Sequence, residues 1–148
     1  MPTDYVADDE VLFRNISIVH NQCKRDTSGH WRLSSQAFSD RYYKPSVDRA
    51  ILCNADPSRT QKSPKDGVVS VLAVDVRKIK DLTQKDAKGN VITTHAFDVI
   101  PDAVLPHNPA HALIISTPAC SNQRVFKKLL ERLQYIANLR GWLIEPQE

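Results

Sequence analysis

The sequence predicts an α+β fold, with a mainly antiparallel sheet of about four or five strands packed against a long C-terminal helix and a short helix. Three observations predict it. Segments rich in β-branched residues recur through the first three quarters of the chain, at 11–20, 68–79, 91–100 and 112–116. Val125, Leu129, Leu133 and Ile136 then repeat at helical spacing. Strands come first and the main helix last, which disfavours an alternating βαβ arrangement.

The elements follow in order. Residues 1–9 are polar and acidic, without the apolar core of a secretory signal, and read as a flexible leader. Residues 10–148 then form a single domain, a length that buries a core without disulfide staples. Residues 11–20 read as one strand or two short ones, and the charged turn at 24–30 as the tip of a hairpin that returns through Trp31, Arg32 and Leu33. Ser34 and Ser35 suit a turn, with Phe38 pinned in the core. Pro45 favours an extended Lys44, Ser46 is a candidate N-cap, and 46–53 read as the short helix, with Asp48 in its first turn. Residues 54–67 make a polar surface loop.

The nearly continuous apolar run 68–79 predicts a central strand buried on both faces. Gly89 marks a polar tip, 91–100 alternate as the return strand, and Pro101 stops it. Leu105 to Ala110 hold two prolines and turn the chain into a strand at 112–116. The last helix takes Ser121 as cap and Gly141 as stop, and residues 142–144 fold back onto the core.

Composition limits the function classes. No run approaches the roughly 18 apolar residues of a membrane span, so no membrane partner is expected. Cys23, Cys53 and Cys120 are odd in number and lack Cys-x-x-Cys spacing, which predicts neither a disulfide framework nor a cysteine metal site, and a reducing cytoplasm. The net charge of +3 is spread along the chain, so charge permits nucleic acid or a nucleotide without arguing for either. No nucleophile elbow, phosphate loop, dinucleotide fingerprint or zinc-protease motif is present. No cofactor and no metal are expected.

Chemistry concentrates in two stretches. His107 and His111 lie four apart, the spacing of a helical zinc site, but Pro106 and Pro109 argue against a helix there. His111 then either bonds a backbone carbonyl at the strand start or serves as an acid–base group. His20 and Asp48 are its candidate assistants, and His20 with His95 would make an acid–base pair if both faced one cleft. In the second stretch, Arg32, Ser34 and Ser35 are candidate phosphate ligands, because a guanidinium fork matches phosphate oxygens and hydroxyls add donors. The alternative for the same residues is structural: Arg32 paired with a carboxylate, the serines capping a turn, Trp31 and Phe38 in the core. Asp98 and Asp102 flank Pro101 and suit a turn or a divalent ion.

Taken together, Trp31 to Phe38, the Ser46-Val47-Asp48 step and the segment from Leu105 through Pro109-Ala110-His111-Ala112 resemble a group of small bacterial proteins with no assigned activity. Their pattern is Arg-Pro-Ser-Ser-x-Ala-Phe, then Ser-Val, then Pro-x-Asn/Glu-Pro-Ala-His-Ala. Leu33 stands where the group has proline, and the C-terminal helix is longer than the group's. The resemblance implies a bacterial, cytoplasmic, single-domain protein and draws attention to Arg32, Ser34, Ser35, Phe38 and His111. It implies no mechanism. The function expected first is a protein-interaction or accessory module with a protein partner; the alternative is a small phosphodiester- or nucleotide-handling enzyme that uses His111 with Arg32, Ser34 and Ser35, which requires the two stretches to meet in one cleft.

Overall fold

The computed structural model describes residues 5–148. Its main sheet is antiparallel throughout and has seven strands among the described residues, more than the four or five expected. The strands are β1 (Val11–Ile16), β4 (Ser46–Arg49), β5 (Gly67–Leu72), β6 (Leu82–Lys85), β7 (Val91–Pro101), β8 (His111–Thr117) and β9 (Trp142–Ile144). They lie in the order β6-β7-β8-β4-β1-β5-β9. A separate hairpin joins β2 (Cys23–Arg25) to β3 (Trp31–Leu33). The helices are α1 (Ala73–Arg77) and α2 (Gln123–Arg140).

The sheet gains its additional strands where sequence pattern was ambiguous. Residues 46–53 do not form the expected short helix. Ser46–Arg49 is β4, held between β1 and β8, and only Ala50–Leu52 makes one 3-10 turn. Two flanking strands satisfy the backbone of this segment on both sides, which outweighs the local capping signal of Ser46. The apolar run 68–79 likewise divides: the strand ends at Leu72 and the chain turns helical through Arg77. An apolar run of this length does not distinguish strand from helix by periodicity. The strand at Val91 returns against β6, not against the 68–79 run.

The hydrophobic core lies between one sheet face and α2. Val125, Phe126, Leu129, Leu130, Leu133 and Ala137 form the buried stripe of α2, and they meet Leu12, Ile16, Val47, Val69, Ala112 and Ile114. Each fully buried aliphatic side chain contributes about 1.5–3 kcal/mol relative to exposure. Asn122, not Ser121, caps the helix: its side-chain oxygen accepts from the amides of Arg124 and Val125 at 2.9 and 3.1 Å. Gly141 ends it with a φ of 81°, which glycine adopts without Cβ strain. A smaller apolar cluster of Phe13, Ala50, Cys53, Val68 and Ala110 lies on the opposite face.

The expected leader is docked from Tyr5 onward, and residues 1–4 of it lie outside the described residues. Val6 is fully buried. Arg49 donates through Nε and Nη2 to the two oxygens of Glu10, both at 2.8 Å, and through Nη2 to the carbonyl of Tyr5 at 2.9 Å. This pair is inside the fold, with 1% and 5% of the two side chains exposed. Among the described residues no helix is long and apolar enough to cross a membrane.

Candidate functional site

A notch in the sheet creates the site. β1 and β4 pair only at Leu12 with Arg49 and Phe13 with Asp48. Beyond that point β1 continues against β5 as far as Ile16, while β4 continues against β8 as far as Ser46. The two strands part, and backbone groups along the opening need partners other than each other. Arg14 supplies them. Its guanidinium donates to the carbonyls of Ala37, Ser39 and Ser46 at 3.1, 3.0 and 2.9 Å, and to the Ser46 hydroxyl at 3.3 Å.

Arg14 is 8% exposed and makes no ion pair among the described residues. Asp40 is near enough to favour its charge, but burial prevails and lowers its pKa to about 10, so the side chain remains cationic at neutral pH. A guanidinium has five N–H donors. The bonds at the notch engage four of them, and Arg14 lines the clefts on either side.

The first cleft, of about 280 Å³, lies over the sheet face turned away from α2. Val47 and Ala112 point into the α2 core, so their strand neighbours Asp48 and His111 point the other way. Asp48 and His111 are also direct cross-strand partners. The Asp48 carboxylate accepts from Asn108 Nδ2 and from Thr60 Oγ1, both at 2.8 Å. Nδ1 of His111 lies 3.0 Å from the carbonyl of Asp102 and 3.1 Å from its carboxylate. Both neighbours are oxygen acceptors, so Nδ1–H donates toward Asp102, and in the neutral imidazole the lone pair is on Nε2. This is the orientation a histidine base requires.

The polar loop at 54–66 covers the cleft. Asn15 receives the amide of Lys62 at 2.9 Å and donates to Asp66 at 3.2 Å, which draws the loop over the end of β1. Lys62 and His20 complete the rim. The Cys53 and Cys23 thiols are not activated as thiolates. Burial and the adjacent Asp48 push the Cys53 thiol up despite a hydrogen bond with Thr60. Burial and Asp66 push that of Cys23 up to about 11. Both remain protonated at neutral pH.

The three acid–base candidates from the sequence, His111, His20 and Asp48, thus line one cleft. The phosphate candidates are not with them. Arg32 lies on the hairpin beside Ala137 and Trp142 and pairs with Asp26 at 2.9 Å. Ser34 caps its own turn, accepting from the amide of Gln36 at 3.1 Å. Ser35 borders the neighbouring cleft. Arg32 and His111 therefore do not line one cleft; the arginine that lines the cleft with His111 is Arg14. His95 faces the core, with Nδ1 2.8 Å from the carbonyl of Pro118, and does not pair with His20. Asp98 bonds Arg77 at 2.6 Å, leaving Asp102 alone to orient His111.

Sequence reasoning missed Arg14, Asn15, Thr60, Lys62, Asp66 and Asn108. Arg14 carried a usable signal: it shares a strand face with Leu12 and Ile16, where an apolar residue belongs. Among the described residues no three of His, Cys, Asp and Glu converge as a metal-binding group. No protein-family model, curated protein or solved structure matches the chain.

Proposed function

We propose that the chain is a small phosphodiester- or nucleotide-handling enzyme whose site is the notch cleft. The observation that carries this reading is the convergence of a buried, unpaired guanidinium with a carboxylate-oriented histidine on one cleft. Arg14 and Lys62 hold the phosphate oxygens. His111 Nε2 takes the proton of a water that attacks phosphorus. The ester P–O bond breaks, and the same proton passes to the leaving oxygen, so that diester and water become monoester and alcohol. Asp102 and Asp48 stabilise the imidazolium that exists between the two transfers. Asp48 is in turn held in place by Thr60 and Asn108.

Hydrolysis of bis(4-nitrophenyl) phosphate tests the chemistry, and calorimetry with inorganic phosphate tests the binding. His111→Gln should lower turnover by about 100-fold or more, the usual contribution of a positioned acid–base group, while leaving phosphate affinity and thermal unfolding close to the parent. A parent that neither binds phosphate nor cleaves the diester at millimolar concentration would refute the reading.

A protein-interaction module is the second reading. Tyr135 and Leu139 favour it: they are 63% and 71% exposed and lie one turn apart on α2. Cross-links from α2 to a partner, abolished by Tyr135→Glu with the fold intact, would support it. An α2 that cross-links to no partner would count against it.

A further inference from the structure

The geometry points to a nucleoside 5′-phosphate as the ligand class, with its base carried on Tyr42 in the wider cleft that adjoins the notch. This rests on the phosphate reading of the notch and extends it. The wider cleft, of about 950 Å³, shares Arg14, His20, Gln22, Ser46 and Lys62 with the first, so the two adjoin at Arg14. The inner cleft accommodates a phosphate and its ester link. The outer one lies within the span of volumes that hold organic ligands, roughly 300–1,000 Å³.

The outer cleft has an apolar floor and a presented aromatic ring. Phe126 and Leu130 come from the α2 stripe, and Tyr43 packs on Phe126 with ring centroids 4.8 Å apart. Tyr42 extends beyond them and is 71% exposed. Its loop is fixed rather than slack. The Asp40 carboxylate accepts from the amides of Tyr42 and Lys44 at 2.9 and 3.0 Å. Tyr43 has a φ of 61°, in the left-handed region that disfavours a bulky side chain. Backbone strain that tight packing holds in place is a recurrent feature of ligand clamps. Here it sets a largely exposed aromatic ring at the cleft wall, next to Tyr43 in the chain.

An aromatic ring beside a cationic groove is the arrangement that stacks a base while the backbone phosphate is held. Arg41 lies over the Tyr42 ring, its guanidinium carbon 5.6 Å from the centroid, and Lys127 lines the same cleft. These add positive charge where a nucleotide enters. The Asp40 carboxylate lines the same cleft and is outnumbered there by Arg14, Arg41, Lys62 and Lys127.

The test is calorimetric titration of the intact chain with inorganic phosphate and with 5′-AMP, 5′-GMP, 5′-CMP and 5′-UMP. At least one nucleotide should bind about tenfold more tightly than phosphate, the gain typical of one base–aromatic stack. Tyr42→Ala should bring that nucleotide down to the affinity of phosphate, Tyr42→Phe should retain the gain, and neither should alter phosphate binding. If phosphate binds but no nucleotide binds more tightly, the base subsite is refuted and the notch reading stands. A nucleotide preference that survives Tyr42→Ala refutes the subsite equally. If neither phosphate nor any nucleotide binds, both readings fall together. Tyr42 is largely exposed, so an unchanged melting curve is the expected control.

Discussion

Two buried arginines on adjacent strands are satisfied in opposite ways. Arg49 on β4 meets the Glu10 carboxylate through a two-point fork, and its charge is neutralised inside the fold. Arg14 on β1 meets carbonyl and hydroxyl oxygens only. Burying a charge is costly unless it is paired and hydrogen-bonded. Arg49 meets both conditions and acts as a lock between the leader and the sheet. Arg14 is hydrogen-bonded but has no ion-pair partner in contact among the described residues, only Asp40 favouring its charge from further off, and it lies at a cleft on each side of the notch. A guanidinium held by backbone carbonyls keeps its full charge for a ligand, as a guanidinium held by a carboxylate does not. The largest expected stability effect thus belongs to the first arginine and the largest binding effect to the second.

Breaking the lock should destabilise most. Glu10→Ala leaves the Arg49 charge buried with only the Tyr5 carbonyl and its remaining neighbours. Removing one partner of a buried pair costs about 3–5 kcal/mol. Urea unfolding should show this as a lower midpoint, with phosphate affinity unchanged below the transition. A loss under about 1 kcal/mol would mean the pair is solvated in the protein, as exposed pairs are. Arg14→Met should cost less, about 1–3 kcal/mol, for the carbonyls left without donors. It should abolish phosphate binding that Glu10→Ala retains. Arg14→Lys should recover part of the binding, since it restores the charge but not the fork. If Arg14→Met keeps full phosphate affinity, the notch charge is structural and the contrast between the two arginines disappears.

Acid should act on the lock in the same direction as Glu10→Ala but less severely. Burial alone would raise the Glu10 pKa. The hydrogen bonds from Arg49 and from the Ala7 amide, with the Arg49 and Arg77 charges, outweigh it and hold the carboxyl below its ordinary value of 4.5. A depressed folded-state pKa contributes stability that is present above the unfolded-state value and is lost as the pH falls through the folded-state one. Stability should therefore be level above pH 5 and fall below about 4.5. Exposed carboxylates such as Asp81, lowered by its hydrogen bond with Arg132, add to the same slope. Subtracting the acid profile of Glu10→Gln from that of the parent isolates the Glu10 share. Coincident slopes would show that Glu10 is not the titrating group.

Legibility follows how local each cause is. The α2 stripe was legible because Val125, Leu129 and Leu133 need only their own spacing, and Gly141 marks the end by its backbone freedom. The hairpin was legible from its turn, where Asp26 accepts the amides of Ser28 and His30. β4 was not, because its strand state comes from β1 and β8, which are distant in sequence. The notch is harder still: it is a place where two strands stop pairing, and no residue records that alone. Asp48 and His111 were identified as acid–base candidates by residue type, and only the register of β4 with β8 makes them neighbours. The loop at 54–66 reads as plain surface because its contribution, through Thr60, Lys62 and Asp66, depends on Asn15 drawing it across the sheet.

The smallest effect is expected at the arginine that the sequence made most conspicuous. Arg32 is 65% exposed at its side chain and pairs with Asp26 on the surface. The Asp26 carboxylate is held below its usual range first by Arg32 and then by the backbone amides of its own turn, which do not need Arg32 to keep their geometry. Arg32→Ala should therefore shift the urea midpoint too little to separate from the parent and leave phosphate titration unaltered. Its side of the fold, against Ala137 and Trp142, is closed by the indole of Trp142 donating to the carbonyl of Trp31 at 3.0 Å, a bond that survives the substitution. Loss of phosphate binding in Arg32→Ala, with Arg14→Met still binding, would exchange the roles of the two arginines and move the site from the notch to the hairpin.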